Sequence, residues 1–356
     1  MGAMNSQEQS LPQAGADISE GWIAGLCDGI LAMLLRDHTT GGNILWLTHD
    51  YESLGKGYEY GSPITEELIT GEREGVIMPR VRKAASLQAG RKKDKAEVFT
   101  PSWVCNAQNN LVDEAWFGRP DVFNHENADK TWSVTEGTIA FPDTKGKTWK
   151  DYVRANRLEI TCGEAPYLAS RYDTTTGEPI AIERRIGLLD RKLRVVGENT
   201  GTTGEWLRWA REAMMSTYGY EWQGDSLLIA RETLLVTFME YYRRKFGKAP
   251  QPKSLSFIAY IISWNLWQMD GLKGVVPDTC GVKPTGVQSL FGPPEEKPCE
   301  GCRTGDFFRH NGTYCLIRDW RAKAPKGEGP GKKIRFVDLM RHSPHKTKAH
   351  DGKSNR

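Results

Sequence analysis

Three acidic residues stand where an apolar run gives way to a turn, and that pattern carries a recognisable chemistry. Residues 157–168 read Arg-Leu-Glu-Ile-Thr-Cys-Gly-Glu-Ala-Pro-Tyr-Leu, a short strand ending at Glu159 and turning through Thr161, Cys162 and Gly163. A turn with little side-chain bulk at the carboxyl end of a strand lets backbone approach a bound nucleotide. Glu221 and Trp222 end a second short apolar run, directly before an amphipathic helix. A carboxylate offers acceptors to two donors at once, so Glu221 suits the two hydroxyls of a ribose. The alternative for Glu221 is a helix-start acid favoured by the macrodipole. Asp270 and Gly271 close the apolar run that begins at Ile261. Asp270 can accept from an adenine amine, although a bare Asp-Gly is also an ordinary turn.

These acids need strands to hold them side by side. The central region alternates short apolar strands with helical patterns, which implies an α/β fold with a mainly parallel sheet covered by helices. The most legible helix begins near Asp225 or Ser226 and ends with Arg243, Arg244 and Lys245 before Gly247. A second helical stretch runs from about Ser254 to Trp267 and is almost wholly apolar. Upstream, Trp22 to Leu34 has helical spacing, residues 43–48 read as a strand, and residues 80–95 read as a basic helix or hinge. The 62 residues from Glu159 to Glu221 exceed the roughly 20 expected of such a unit. Residues 171–205 therefore read as an insertion, placed to cap a ligand.

The net charge is only +3, but it is unevenly distributed. Between Arg80 and Lys95 there are seven Lys or Arg against one acid, and from Arg318 to Arg356 twelve against four. Arg80, Arg82, Lys83, Arg91, Lys92 and Lys93 are the candidates for phosphate contacts on a nucleic acid, since each neutralised phosphate releases counterions. A solvated linker and a solubilising tail are the other reading of these stretches. There is no apolar run of about 18 residues to cross a bilayer. No export signal is legible, and the Met1-Gly2-Ala3 opening before Met4 reads as an expression scar. Seven cysteines then suit a reducing cytoplasm, with a nucleoid-associated location if the chain binds DNA.

One further segment joins these observations. Glu97-Val98-Phe99-Thr100-Pro101 resembles the segment that precedes the cofactor domain of adenine-specific DNA methyltransferases of restriction-modification systems. Leu158 to Leu168 resembles their first cofactor motif, with Glu159, Cys162 and Gly163 in place. The stretch from Ile44 to Asp270 is similar to bacterial proteins labelled restriction-endonuclease M subunits. The resemblance implies a Rossmann-like class I S-adenosylmethionine-dependent methyltransferase fold with an N-terminal extension and insertions. It implies S-adenosyl-L-methionine as cofactor, held by Phe99, Thr100, Pro101, Glu159, Thr161, Cys162, Gly163, Glu221, Trp222 and Asp270. Its partners would be DNA and a restriction or specificity subunit, with no membrane.

Two departures stand out. Ala165 and Pro166 occupy the place of the motif's second glycine and its neighbour, which stiffens that loop. No Asn-Pro-Pro-Tyr or Asp-Pro-Pro-Tyr tetrad follows Asp270. In the family that tetrad grips the amine of a flipped-out adenine. The substitute is Asp319 with Trp320 at the end of the apolar run Tyr314 to Ile317, an acceptor beside a stacking face. Asn265 and Trp267 form another such pair, read as structural. The expected function is methyl transfer to the adenine amine of DNA, and its rival is a catalytically lapsed fold that binds cofactor or DNA as a regulatory or specificity partner.

Methyl transfer from a sulfonium requires no metal, and none is expected. Cys280, Cys299, Cys302 and Cys315 nevertheless offer four thiols, with His310 as a substitute ligand, against the alternative of unrelated reduced cysteines. The domain expectation is a tail over 1–20, disordered from residue 5, and an N-terminal extension over 21–95 able to contact DNA. A cofactor core follows over 96–275, then an insertion or linker over 276–312, the end of the core over 313–340 and a basic tail over 341–356.

Overall fold

The computed structural model describes residues 18–83, 100–284 and 296–341. The expected terminal tails, and the part of the basic stretch from residue 84 to 95, lie outside the described residues apart from Ile18 to Glu20 and Arg341. Near the start, apolar residues at helical spacing form two short helices and not one. Helix α1 (Glu20–Ala24) is capped by Ser19, whose hydroxyl accepts from the Trp22 N–H, and α2 (Ile30–Leu35) restarts after Gly29 at φ +70°. Residues 43–48 make isolated bridges, Asn43 with Arg36 and Leu45 with Pro63, in place of the expected strand. Their apolar side chains Ile44, Trp46 and Leu47 are buried all the same.

Further along come α3 (Ser102–Phe117), the antiparallel pair β1 (Asn124–Glu126) and β2 (Trp132–Val134), then α4 (Trp149–Arg154) with its Thr148–Asp151 capping box. Strand β3 (Arg157–Glu159) leads into a long crossover. That crossover holds α5 (Leu188–Asn199) and α6 (Thr203–Met215), the latter opened by a Thr202–Glu205 capping box. Leu189, Leu193, Val195 and Val196 of α5 are fully buried. The second half of residues 171–205, read as an insertion, thus packs into the core of the first unit.

Strand β4 (Thr217–Glu221), helix α7 (Gly224–Phe246), helix α8 (Pro252–Asn265) and strand β5 (Leu266–Gln268) complete the unit. Helix α7 ends as read, at Gly247 in the left-handed region. Helix α8 stops at Asn265, so Trp267 belongs to β5; the change from helix to strand is invisible in a run that is apolar throughout. The sheet is parallel, in the order β3-β4-β5. Glu159 pairs with Gly219, and Glu221 with Gln268. A Cβ on Gly219 would lie 3.2 Å from the Cys162 sulfur, so a glycine in mid-strand lets the loop after β3 fold back over β4.

The expected N-terminal extension is instead joined to this core. The Gln268 amide donates to the Leu45 carbonyl and accepts from the Leu45 N–H, both at 2.8 Å. Arg231 of α7 is fully buried, and its guanidinium donates to the carbonyls of Leu34, Arg36, Ser263 and Leu266. One side chain thus satisfies carbonyls at the ends of α2 and α8 that those helices cannot satisfy internally. Burial brings its pKa down to about 10, against the opposing charge of Asp37.

The chain divides into compact units at Gly271/Leu272. The stretch 313–340, expected to finish the core, falls in the second unit. That unit contains β6 (Lys283–Pro284) paired with β7 (Glu296–Lys297), α9 (Glu300–Thr304), β8 (Leu316–Asp319) paired antiparallel with β9 (Lys332–Arg335), and α10 (Asp338–Arg341). No helix among the described residues is long and apolar enough to cross a membrane.

Replacing Arg231 with Met keeps the bulk but strands its four carbonyl partners. The expected loss is about 3 kcal/mol, measured from the midpoint of urea unfolding. A loss below about 1 kcal/mol would mean that those helix ends find other donors.

Candidate functional site

Strands that run parallel must end on the same side, and that places the three acids together. Glu159 ends β3, Glu221 ends β4, and Asp270 lies just beyond β5, where the Met269 N–H still donates to the Glu221 carbonyl at 3.0 Å. All three are buried, at 8%, 9% and 5% exposure.

Their partners differ. Glu159 accepts one long bond from the Tyr167 N–H at 3.4 Å through Oε1, and its buried Oε2 has no hydrogen-bond partner among the described residues. Burial, reinforced by the charge of Glu221, pushes the Glu159 carboxyl well above the usual range. Glu221 accepts from the Gly163 N–H at 2.8 Å through Oε2, and from the N–H groups of Trp222 and Gln223 through Oε1. Burial still raises it, Asp225 adding to the effect. Three of the roughly four acceptor positions of the Glu221 carboxylate are thus taken. It cannot receive both ribose hydroxyls as it stands, which corrects the two-donor expectation. The helix-start reading has a counterpart in the structure, since two of its donors, Trp222 and Gln223, lie immediately before α7.

The loop between them holds three residues in the left-handed region, two of which are not glycine. Thr161, Gly163 and Ala165 have φ of +45°, +53° and +61°. For Thr and Ala the left-handed region costs about 1 kcal/mol or more each. Ala165 is held there by packing at 0% exposure and by its N–H bond to the Cys162 carbonyl. Cys162 is buried against Gly219, and burial raises its thiol well above the ordinary range, which makes it a packing residue.

Thr100 lies beside Tyr167 of the same loop. The Thr100 carbonyl accepts from the Cys105 thiol at 3.6 Å and from the Thr174 hydroxyl at 3.2 Å. Asp173, unnoticed in the sequence, accepts from the Ser102 N–H at 2.8 Å and so caps α3 directly after Pro101. Its bonds to Thr175 and Ser102 outweigh the desolvation that raises it, and bring it down to about 2. The Asp-Thr-Thr-Thr-Gly turn around it was the available signal. Phe99 lies outside the described residues, as do Arg91, Lys92 and Lys93.

Lys83, expected on a phosphate, is buried and paired with Asp225 at 3.0 Å. Its charge is neutralised within the unit, so it is not a nucleic-acid contact. Of the described basic residues, Arg82 is exposed and Arg80 half-buried, its backbone N–H bonded to Glu164. A cavity of about 440 Å³ lies elsewhere in the first unit, beside α5 and the end of α7, and none of the strand-end acids lines it. Its cations are committed: Arg185 to Glu240, Arg191 to Asp113, Arg194 to Glu198, and Lys245 to the Gly197 carbonyl.

In the second unit, Asp319 ends β8 as expected. Its Oδ1 accepts from the N–H groups of Arg321 and Ala322, and Trp320 lies half-buried beneath the Arg318 guanidinium. Asn265 is structural, donating to the carbonyls of Met214 and Thr217. Of the four thiols, Cys280, Cys299 and Cys302 converge with the His310 ring, and all four donor atoms lie within 4.8 Å of one another. Cys315 is buried outside this group. The stretch read as a linker is organised around that convergence.

No family model, curated protein or solved structure matches this chain.

The raised Glu159 pKa sets a sign. A carboxyl whose folded value exceeds its unfolded one costs nothing while protonated in both states. The penalty grows as pH rises from the ordinary glutamate range through the raised value. Glu159→Gln, which keeps the shape and removes the charge, should therefore raise the thermal midpoint of the ligand-free protein at neutral pH. The gain should shrink as pH falls towards 4.5. A variant less stable at neutral pH would mean that the Glu159 charge has a cation partner.

Proposed function

We propose that the first unit binds S-adenosylmethionine at the ends of β3, β4 and β5, and that the protein transfers its methyl group to an exocyclic amine of DNA, adenine being the favoured base. The observation that carries this reading is the buried Glu159–Glu221 pair, with one carboxylate oxygen left without a donor among the described residues. Two neighbouring buried acids of raised pKa call for a cationic, donor-rich ligand. The adenosyl sulfonium carries an ammonium, a diol and an amine, which fits that donor deficit.

In this reading Glu159 receives the ammonium, and Glu221 takes a ribose hydroxyl with its remaining acceptor position. The half-buried Trp222 offers a stacking face, and Asp270 accepts from the adenine ring. The left-handed turn at Gly163 brings backbone close to the ligand, with Thr100 and Pro101 completing the rim. Bound there, the group supplies an electrophilic methyl carbon. Asp319 and the half-buried Trp320, in the second unit, pair an acceptor with a stacking face of the kind the missing tetrad would supply to a target amine and its base. The exposed Arg82 and the basic stretch after it would meet phosphates.

Equilibrium dialysis tests the cofactor and labelled methyl transfer tests the activity. The full chain should bind S-adenosylmethionine, and Glu159→Gln should weaken binding about tenfold or more, the cost of losing a charge-assisted hydrogen bond. Transfer to DNA should occur with the wild type and be abolished in Asp319→Ala. Absence of binding would overturn the assignment. Binding without transfer to DNA rich in candidate sites would favour a lapsed fold acting as a regulatory or specificity partner.

A further inference from the structure

The second unit has little apolar material with which to hold itself together. Among its described residues, Val275, Val276, Ile317, Phe336 and Val337 supply most of the buried hydrophobic side chains. Its paired strands are two to four residues long. Units with so small a core are commonly stapled by disulfides or by a metal.

The convergent side chains have the dimensions of a metal site. The Cys280 sulfur lies 3.3 Å from that of Cys299, 3.6 Å from that of Cys302 and 3.4 Å from Nδ1 of His310. Nδ1 is also 3.6 Å from the Cys299 sulfur and 3.7 Å from that of Cys302. A tetrahedral zinc with metal–sulfur bonds of about 2.3 Å and metal–nitrogen bonds of about 2.0 Å spaces its ligand atoms about 3.5–3.8 Å apart. A disulfide would need about 2.05 Å between two sulfurs, and would leave the third thiol and the imidazole converging for no reason.

Three arms of chain are tied before any ion arrives. The Gly301 N–H donates to the Arg309 carbonyl at 2.9 Å, joining the Cys299-x-x-Cys302 turn to the His310 loop. The Asn311 side chain accepts from the Gly281 N–H and donates to the Gly281 carbonyl, drawing in Cys280. The Asn311 N–H donates to the Cys299 sulfur at 3.3 Å, a contact that stabilises a thiolate. A Cβ at Gly301 would sit 2.7 Å from both the His310 N–H nitrogen and Nδ1, so only glycine lets the imidazole lie over this turn. Each of these features is unexplained by packing alone.

We propose that Cys280, Cys299, Cys302 and His310 bind one zinc ion as a closed structural site that holds the second unit together. Three thiolates and an imidazole in a tetrahedron select zinc over hard cations. With four protein ligands no position remains for a substrate or an activated water, so the ion is a staple and not a catalyst. The inference is independent of the methyltransferase reading.

Metal analysis of the purified full chain, stripped with chelator under reducing conditions and reloaded with zinc alone, tests it. About one zinc should be retained per chain, and cobalt in its place should give the intense visible absorption of tetrahedral thiolate coordination. Cys302→Ser, at an exposed ligand, should lower zinc retention tenfold or more, while Cys27→Ser in the first unit should leave it unchanged. Less than a tenth of an equivalent in the reloaded wild type would overturn the site, as would full retention in Cys302→Ser. Preferential retention of iron over zinc would overturn the choice of metal.

Discussion

Two buried carboxylates with no cation paired to them among the described residues form the constraint around which the first unit is arranged. Elsewhere in this unit several buried acids face bases, Asp113 with Arg191, Asp225 with Lys83, and Glu240 with Arg171 and Arg185, whereas Asp190 is held by Ser170 and is likewise raised by burial. Around Glu159 and Glu221 the donors among the described residues are backbone N–H groups, and the bond to Glu159 from Tyr167 is long. A fold that can neutralise buried charge with arginine and does not do so here leaves electrostatic work undone, and such positions concentrate at functional sites. The strained Thr161 and Ala165 lie in the loop that joins these acids, which is where conformational strain is most often tolerated.

The sequence was informative where side-chain type and backbone geometry coincide. Helix α7 could be read end to end because its apolar spacing, basic last turn and terminal glycine all agree. The three acids were legible because parallel strands put their carboxyl ends in a row. Misreadings came where a tertiary partner decides. Gly25 and Gly29 split the first helix, and Leu45 finds the Gln268 side chain in place of a neighbouring strand. Lys83 looked like part of a basic stretch because nothing local reveals Asp225, 142 residues away. The length of the β3–β4 crossover suggested an insertion, whereas α5 is core because its apolar face is buried. The Cys/His group was visible as residue types but not as a set, since Cys280 is brought to the other two thiols by backbone pairings around Gly281 and Asn311.

The two units solve the problem of stability differently. The first has a deep apolar core, tied by the Arg231 guanidinium to the carbonyls of two helix ends. The second has short strands and few buried apolar side chains, and its convergent thiols and imidazole offer a metal what the core lacks. Asp319 and Trp320 stand on the strand that follows this cluster in the chain, so the inferred ion would stabilise the unit that presents them.

The central claim concerns the Glu159–Glu221 corner, and proton linkage reports on it most directly. Calorimetric titration of the protein with S-adenosylmethionine near neutral pH, in two buffers of different ionisation enthalpy, gives the number of protons exchanged on binding. A cationic ligand arriving at carboxyls of raised pKa must displace protons, so net release is expected in the wild type and should be reduced in Glu159→Gln. Absence of binding heat in both buffers, or binding with no proton exchanged, would contradict the account.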